Sequence, residues 1–244
     1  MRDRRRSEMD YGSFENEQSP VSYQGSRFTI AAHLDNPLEV LIITAFNNDH
    51  YLQEALEFTE SNKMFHLEEF GLVGTHIEQI LSYCDRISKK YPQWKKDSLI
   101  VRPVLMWHDI GKKDEEWFGF DERGHPSEGH QKIASDMARE LFDIDDPLFH
   151  KLIVHHDDHY KLYRDRKESY IKKIFISHFE NFTREEMEIL VRFGYADRYR
   201  PKPDIGSVLK RYYSLKRLYH QQMEWFIRIA KETKLLPSNF RVFS

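Results

Sequence analysis

Cysteine is nearly absent from this chain: among 244 residues only Cys84 carries a thiol. An internal disulfide framework is therefore excluded, and the composition fits a reducing compartment, which predicts a cytoplasmic protein. Lying in an apolar helical pattern, Cys84 reads as a small core side chain rather than a nucleophile. Long apolar runs are also missing. None approaches the roughly 20 residues needed to cross a bilayer, so no membrane partner is expected. Neither sign of charge is in excess: 37 basic residues against 40 acidic ones give a net charge of -3. That balance supplies no global attraction to polyanions or membrane surfaces, and any such contact must be local. Arg2, Arg4, Arg5 and Arg6 are followed by no apolar segment, which predicts no signal peptide. Internal repeats and a regular series of strand patterns are lacking as well.

What is present is an ordinary globular composition, 40% hydrophobic and 32% charged, in a chain long enough for one large core. Residues 1–26 are polar and aperiodic and read as a flexible tail; residues 27–244 read as a single helical domain. The stretch 28–70 is the least informative. There Asn36-Pro37 suits a helix start, while Val40 to Thr44 keeps a short strand open. Beyond Glu69 the pattern becomes a succession of amphipathic helices, predicted over about 74–90, 99–109, a stretch after His125 with Pro126 in its first turn, and one starting near Asp146-Pro147. Thr183 and Glu186 form a capping-box pattern for a further helix, and a last one covers about 206–234. The fold class expected is all-α.

The chemistry concentrates at Val104 to Lys112, where His108 and Asp109 end an apolar run. Burying two metal-preferring side chains there is costly unless they have partners. Neighbours in a helix point about 100° apart, so the pair converges only where the helix is ending, and Gly111 sits where a left-handed C-terminal stop is wanted. Lys112 then stands at the rim of the same place.

Helical spacing brings other candidates inward or to helix ends: His76 beside the Ile77, Ile80, Leu81 and Cys84 face, His125 at a helix entrance, His155 and His156 behind Leu152 and Ile153, and Asp197 on the stripe of Leu190 and Gly194. Imidazole and carboxylate donors without cysteine suit Mn, Fe, Zn, Ni or Co rather than a thiolate-bound centre. Four of them, His76, His108, Asp109 and Asp197, satisfy one ion. His125 with His155 or His156 is then in surplus, which implies a second ion with Asp109 as the bridge, since a carboxylate has two oxygens to share. His130 is expected to face outward, next to the His125 helix start. Asp157 and Asp158 are expected to be solvated, or else to orient a ligand histidine. His33, His50, His66, His150, His159, His178 and His220 are read as ordinary surface or core histidines.

In order, His76, His108-Asp109 and Asp197 resemble the ligand pattern of the HD-domain superfamily of metal-dependent phosphohydrolases. His125-Pro-Ser-Glu-Gly129 resembles the His-x-x-x-Gly helix entrance seen in the HD domains of bacterial tRNA nucleotidyltransferases, and Ile153 to His156 and Tyr195 to Arg198 fit later segments of the family. The resemblance covers about residues 71–199. It implies an HD-domain helical bundle with additional flanking helices. It also implies one or two divalent metal ions (Mn, Ni, Co, Mg, Zn or Fe), the first held by His76, His108, Asp109 and Asp197 and the second by His125, His155 and His156. The activity implied is hydrolysis of a phosphomonoester or phosphodiester of a nucleotide or RNA end by metal-activated water, with Lys112 and Arg198 stabilising phosphoryl charge beside Asp109. Two competing readings are a di-iron HD-fold oxygenase, which the same donors suit, and a non-catalytic nucleotide-sensing module that recruits a partner through the aromatic loop Trp117 to Phe120 or through the tail.

The cations Lys161, Arg164, Arg166 and Lys167 alternate with Tyr160, Tyr163 and Tyr170. Most such runs are solvated faces; the functional reading is a local RNA contact in which cations meet phosphates and tyrosines stack on bases.

Overall fold

The computed structural model describes residues 21–58, 72–113, 129–164, 168–202 and 206–244. They form an all-α fold built round one buried helix. In chain order the elements are β1 (Ser22–Gln24), β2 (Thr29–Ala31), α1 (Pro37–Asn48), α2 (His50–Leu56), α3 (Val73–Ser88), α4 (Pro92–Trp107), α5 (Gly129–Phe142), α6 (Pro147–His155), α7 (Asp158–Arg164), α8 (Glu168–His178), α9 (Arg184–Asp197) and α10 (Gly206–Glu232). The strands pair antiparallel, with Tyr23 opposite Ile30. Ser22–Gln24, which its composition places in a tail, is thus strand, and Tyr23 is buried in the core.

Helix α4 is the centre because it is apolar around most of its circumference: Trp94, Val101, Val104, Leu105, Met106 and Trp107 are all fully buried. A helix of that kind must be covered on several sides. It begins at Pro92, seven positions before the apolar run that announces it, because Tyr91 is extended, as a residue before proline prefers, and Pro at the first position needs no amide partner.

Pro103 lies inside α4 and has no N–H to give to the Leu99 carbonyl. The Asn36 side-chain amide takes that carbonyl instead, donating at 2.8 Å, while its Oδ1 accepts from the amides of Leu38 and Glu39 and so caps α1. This double use of Asn36, with Pro37 at the first helical position, makes 37–48 a helix rather than the strand that Val40 to Thr44 leaves open. Buried charges along α4 are all paired. Arg102 lies 3.0 Å from Glu39 of α1 and also meets Asp85 of α3, and Arg192 of α9 is 2.5 Å from Asp97.

On the opposite side α9 starts at the expected capping box: Glu186 N–H donates to the Thr183 hydroxyl at 3.2 Å, and Thr183 N–H donates back to the Glu186 carboxylate at 2.7 Å. The C-terminal segment closes the far end, with the Trp94 indole donating to the Val242 carbonyl at 2.6 Å. The result leaves α3, the end of α4, α5, the end of α6 and the end of α9 facing one interior point.

Candidate metal centre

At that point two apolar helices end in histidine. His108 is the C-cap of α4, and its Nδ1 lies 3.0 Å from the Leu105 carbonyl oxygen. A carbonyl accepts only, so Nδ1 carries a proton, and Nε2 is the ring nitrogen turned to the interior, where its lone pair serves an ion once any proton on it has left. His156 is the C-cap of α6 and repeats the arrangement, with Nδ1 2.7 Å from the Ile153 carbonyl oxygen. In both cases the backbone of the preceding turn fixes the tautomer that a ligand needs.

Round His108 stand His76 of α3, Asp197 of α9 and Asp109. His108 Nε2 lies 3.1 Å from Asp197 Oδ1 and 3.2 Å from Asp109 Oδ2, and His76 Nε2 lies 3.2 Å and 3.8 Å from the same two oxygens. All four residues are buried. Round His156 stand His130 of α5, Asp157 and the other oxygen of Asp109. The Nε2 atoms of His130 and His156 are 3.2 Å apart; Asp109 Oδ1 lies 3.9 and 3.8 Å from them, and Asp157 Oδ2 lies 3.6 and 3.5 Å from them. Asp109 therefore divides its two oxygens between two histidine pairs.

The donor set fits cations. Two imidazole nitrogens facing each other share at most one proton, and Asp109 Oδ1 is buried with no hydrogen-bond partner among the described residues. His76, His108 and Asp197 have ligand atoms mutually within 4.8 Å, as do His108, Asp109 and His156, and likewise His130, His156 and Asp157. With nitrogen and carboxylate oxygen only, the groups suit a borderline or hard divalent ion.

The electrostatics point the same way. Burial, with Arg200 nearby, pushes His76 down to about 4, and burial pushes His156 down to about 4 against the pull of Asp157, so both rings are neutral. His108 differs. Burial opposes its charge, but Asp109 and Asp197 outweigh it and carry the ring up to about 10. Asp109 is held well below the carboxylate range although burial works against this, because His108 and Lys112 favour its anion; hydrogen bonds from His108 and His76 do the same for Asp197. Asp157 is likewise held low against burial by His156, Arg198 and His130.

Not every expected residue arrives. His125 and the loop Trp117 to Phe120 lie outside the described residues. His155, which helical spacing places beside His156, points away: its Nδ1 meets Asp158 Oδ2 at 2.5 Å and its ring packs on Phe179 and Phe182. His130, expected outward, is buried against His156. Asp157, expected either in solvent or orienting a ligand histidine, is part-buried and accepts from Gln131 at 2.9 Å and from Arg198 at 2.7 Å. A legible signal existed for Asp157: Leu152 to Asp157 repeats the apolar-run-then-His-Asp order of Leu105 to Asp109. Gly111 does not take the left-handed stop expected of it; its φ lies outside that region, and the residue is small for another reason. A Cβ there would overlap the His130 carbonyl oxygen and lie 3.0 Å from its carbonyl carbon, so Gly111 lets α5 close against the turn that carries Asp109.

Lys112 stands at the edge of the centre, its Nζ 2.8 Å from Asp109 Oδ2. Arg198 is engaged on two sides, donating from Nη2 to Asp157 and from Nε to His159 at 2.9 Å, so its first task is to hold Asp157. Of the basic run, Lys161 is part-buried on α7, while Arg166, Lys167 and the side chain of Arg164 lie outside the described residues. Among the described residues no helix is long and apolar enough to cross a membrane. No family model matches the chain, and no curated protein or solved structure matches it either.

Proposed function

We propose that the chain is a metal-dependent phosphohydrolase of the HD-domain type, cleaving a phosphomonoester or phosphodiester of a nucleotide or RNA end. The observation that carries this reading is the division of Asp109, with Oδ2 3.2 Å from His108 Nε2 and Oδ1 3.8 Å from His156 Nε2. In the proposal His76, His108, Asp109 and Asp197 hold one divalent ion, and Asp109, His130, His156 and Asp157 hold a second. Ions held there would lower the pKa of a bound water, so that hydroxide would be available near neutral pH, and would offset charge on the phosphoryl oxygens.

The protein's own groups do the rest. The backbone carbonyls of Leu105 and Ile153 keep His108 and His156 as Nε2 donors. Arg198 fixes Asp157 and offsets part of the carboxylate charge that collects at the centre. Lys112, part-buried beside Asp109, is a cation within reach of a phosphoryl oxygen and stabilises charge that grows there as the ester bond breaks. The buried Phe193, whose ring centroid is 5.6 Å from that of His108, keeps one wall of the centre dry and strengthens each of these interactions.

The test is hydrolysis. Protein reconstituted separately with manganese, nickel, cobalt or magnesium is assayed on a single-aryl phosphate and on a bis-aryl phosphate, in parallel with Asp109→Ala. Turnover of either ester that Asp109→Ala abolishes supports the reading and tells monoesterase from diesterase. Absence of turnover with every metal, together with two irons and oxygen consumption in the purified protein, replaces it with the oxygenase.

A further inference from the structure

The segment His155-His156-Asp157-Asp158 faces two ways. His156 and Asp157 look into the centre described above, while His155 and Asp158 look outward to a third residue, His178, the last residue of α8. His155 Nδ1 and His178 Nε2 approach the same oxygen, Asp158 Oδ2, at 2.5 and 2.6 Å. The three ligand atoms lie within 4.8 Å of one another.

We propose that His155, Asp158 and His178 form a second, separate metal site, open to solvent and suited to zinc. Two imidazole nitrogens and one carboxylate oxygen are a donor set for zinc, cobalt or nickel rather than for magnesium or calcium. Three protein ligands leave a fourth tetrahedral position for water. The side chains are graded in exposure, 7% for Asp158, 20% for His155 and 38% for His178, so an ion has an entry path from the His178 side. The rings are already held. His155 packs edge-on against Phe182 at 5.0 Å, and His178 packs against Phe179 at 4.8 Å, with both phenylalanines buried. Little side-chain freedom is then lost when the ion arrives, which favours binding.

To ligate, each imidazole would present as a lone-pair donor the ring nitrogen that now faces the shared oxygen. The three ligands come from the end of α6, the start of α7 and the end of α8, so one ion ties three helices together. The backbone it clamps is the turn that carries His156 and Asp157. This site stands on its own geometry and does not depend on what the inner centre does.

The test uses the full chain with its inner centre loaded by manganese, dialysed against low-micromolar zinc chloride and analysed for zinc per chain. Wild-type protein should bind about one zinc more than His178→Ala, and the two should carry equal manganese, however much of it zinc has displaced from the inner centre. His178 is at an exposed helix end, so its removal leaves the core intact; Asp158→Asn serves as the second variant and should lose the same ion. Cobalt in place of zinc should give wild type, and not His178→Ala, the visible absorption of a four-coordinate ion. Equal zinc in wild type and His178→Ala, or a six-coordinate cobalt spectrum in wild type, overturns the proposal. Loss of manganese from His178→Ala as well would also overturn it, since the two sites would then not be separate.

Discussion

His108 and His156 occupy equivalent places on two different helices. Each is a helix C-cap, each donates Nδ1–H to the carbonyl three residues before it, and the rings meet edge to face with centroids 5.1 Å apart. An aspartate follows each of them, and Asp109 of the first pair lies against both histidines, Oδ2 3.2 Å from His108 Nε2 and Oδ1 3.8 Å from His156 Nε2.

This equivalence separates His156 from its neighbour. His156→Ala should weaken manganese binding and slow ester hydrolysis by at least about a hundredfold, whereas His155→Ala, which touches only the outer residues, should keep the rate within a factor of a few. Parallel rate measurements in saturating manganese check this, and equal losses in the two variants would refute the assignment.

Gly111 is a packing requirement. Adding a methyl group drives it into the His130 backbone, which cannot yield without moving α5. Gly111→Ala is expected to cost about 1–3 kcal/mol in urea unfolding, the usual range for overpacking, and to weaken binding of the ion proposed for His130 and His156. A variant as stable as the parent would show that the approach of α5 is looser than described.

Asp157→Asn keeps the size of the side chain but removes the charge that pairs with Arg198 at 2.7 Å. Both partners retain some solvent contact, so the expected loss of stability is modest, roughly 1–2 kcal/mol. Metal affinity should fall further, by about 10- to 100-fold. Titration with manganese followed by electron paramagnetic resonance reads the second number; unchanged affinity would place Asp157 outside the centre.

Much of this was readable in advance, and the exceptions have physical causes. A histidine and an aspartate closing the apolar run of α4 have no inexpensive explanation except partners, and His76 and Asp197 follow from helical period alone. Choosing between His155 and His156 does not. Both lie where α6 is ending, and the choice is made by which ring turns back to a carbonyl. His130 reads as outward from its own segment because its direction depends on how closely α5 approaches, which Gly111 sets from another segment. Asp157 and Asp158 carry one and the same expectation because composition cannot divide two adjacent aspartates, whereas the fold turns the first to Arg198 and the second to His155.

Proton linkage at His108 gives a pH signature. Its folded value, about 10, is above the ordinary 6.5, so without metal its charge stabilises the fold fully below pH 6.5, and that contribution is lost as pH rises through 10. Metal-free protein should therefore lose stability between those values. A metal ligand must be neutral, so ion binding at pH 8 displaces the His108 proton, while His76 and His156, both near 4, have none to lose. Calorimetry of manganese binding in two buffers of different ionisation enthalpy should report release of about one proton at pH 8. Release of none would mean that His108 is already neutral.

The most direct measurement of the central claim is manganese content per chain in wild type and Asp109→Ala after saturation and removal of excess ion. A bridging Asp109 serves both histidine pairs, so wild type should hold about two ions and Asp109→Ala fewer than one. Asp109→Ala protein that folds and still holds the wild-type content would contradict the centre as described.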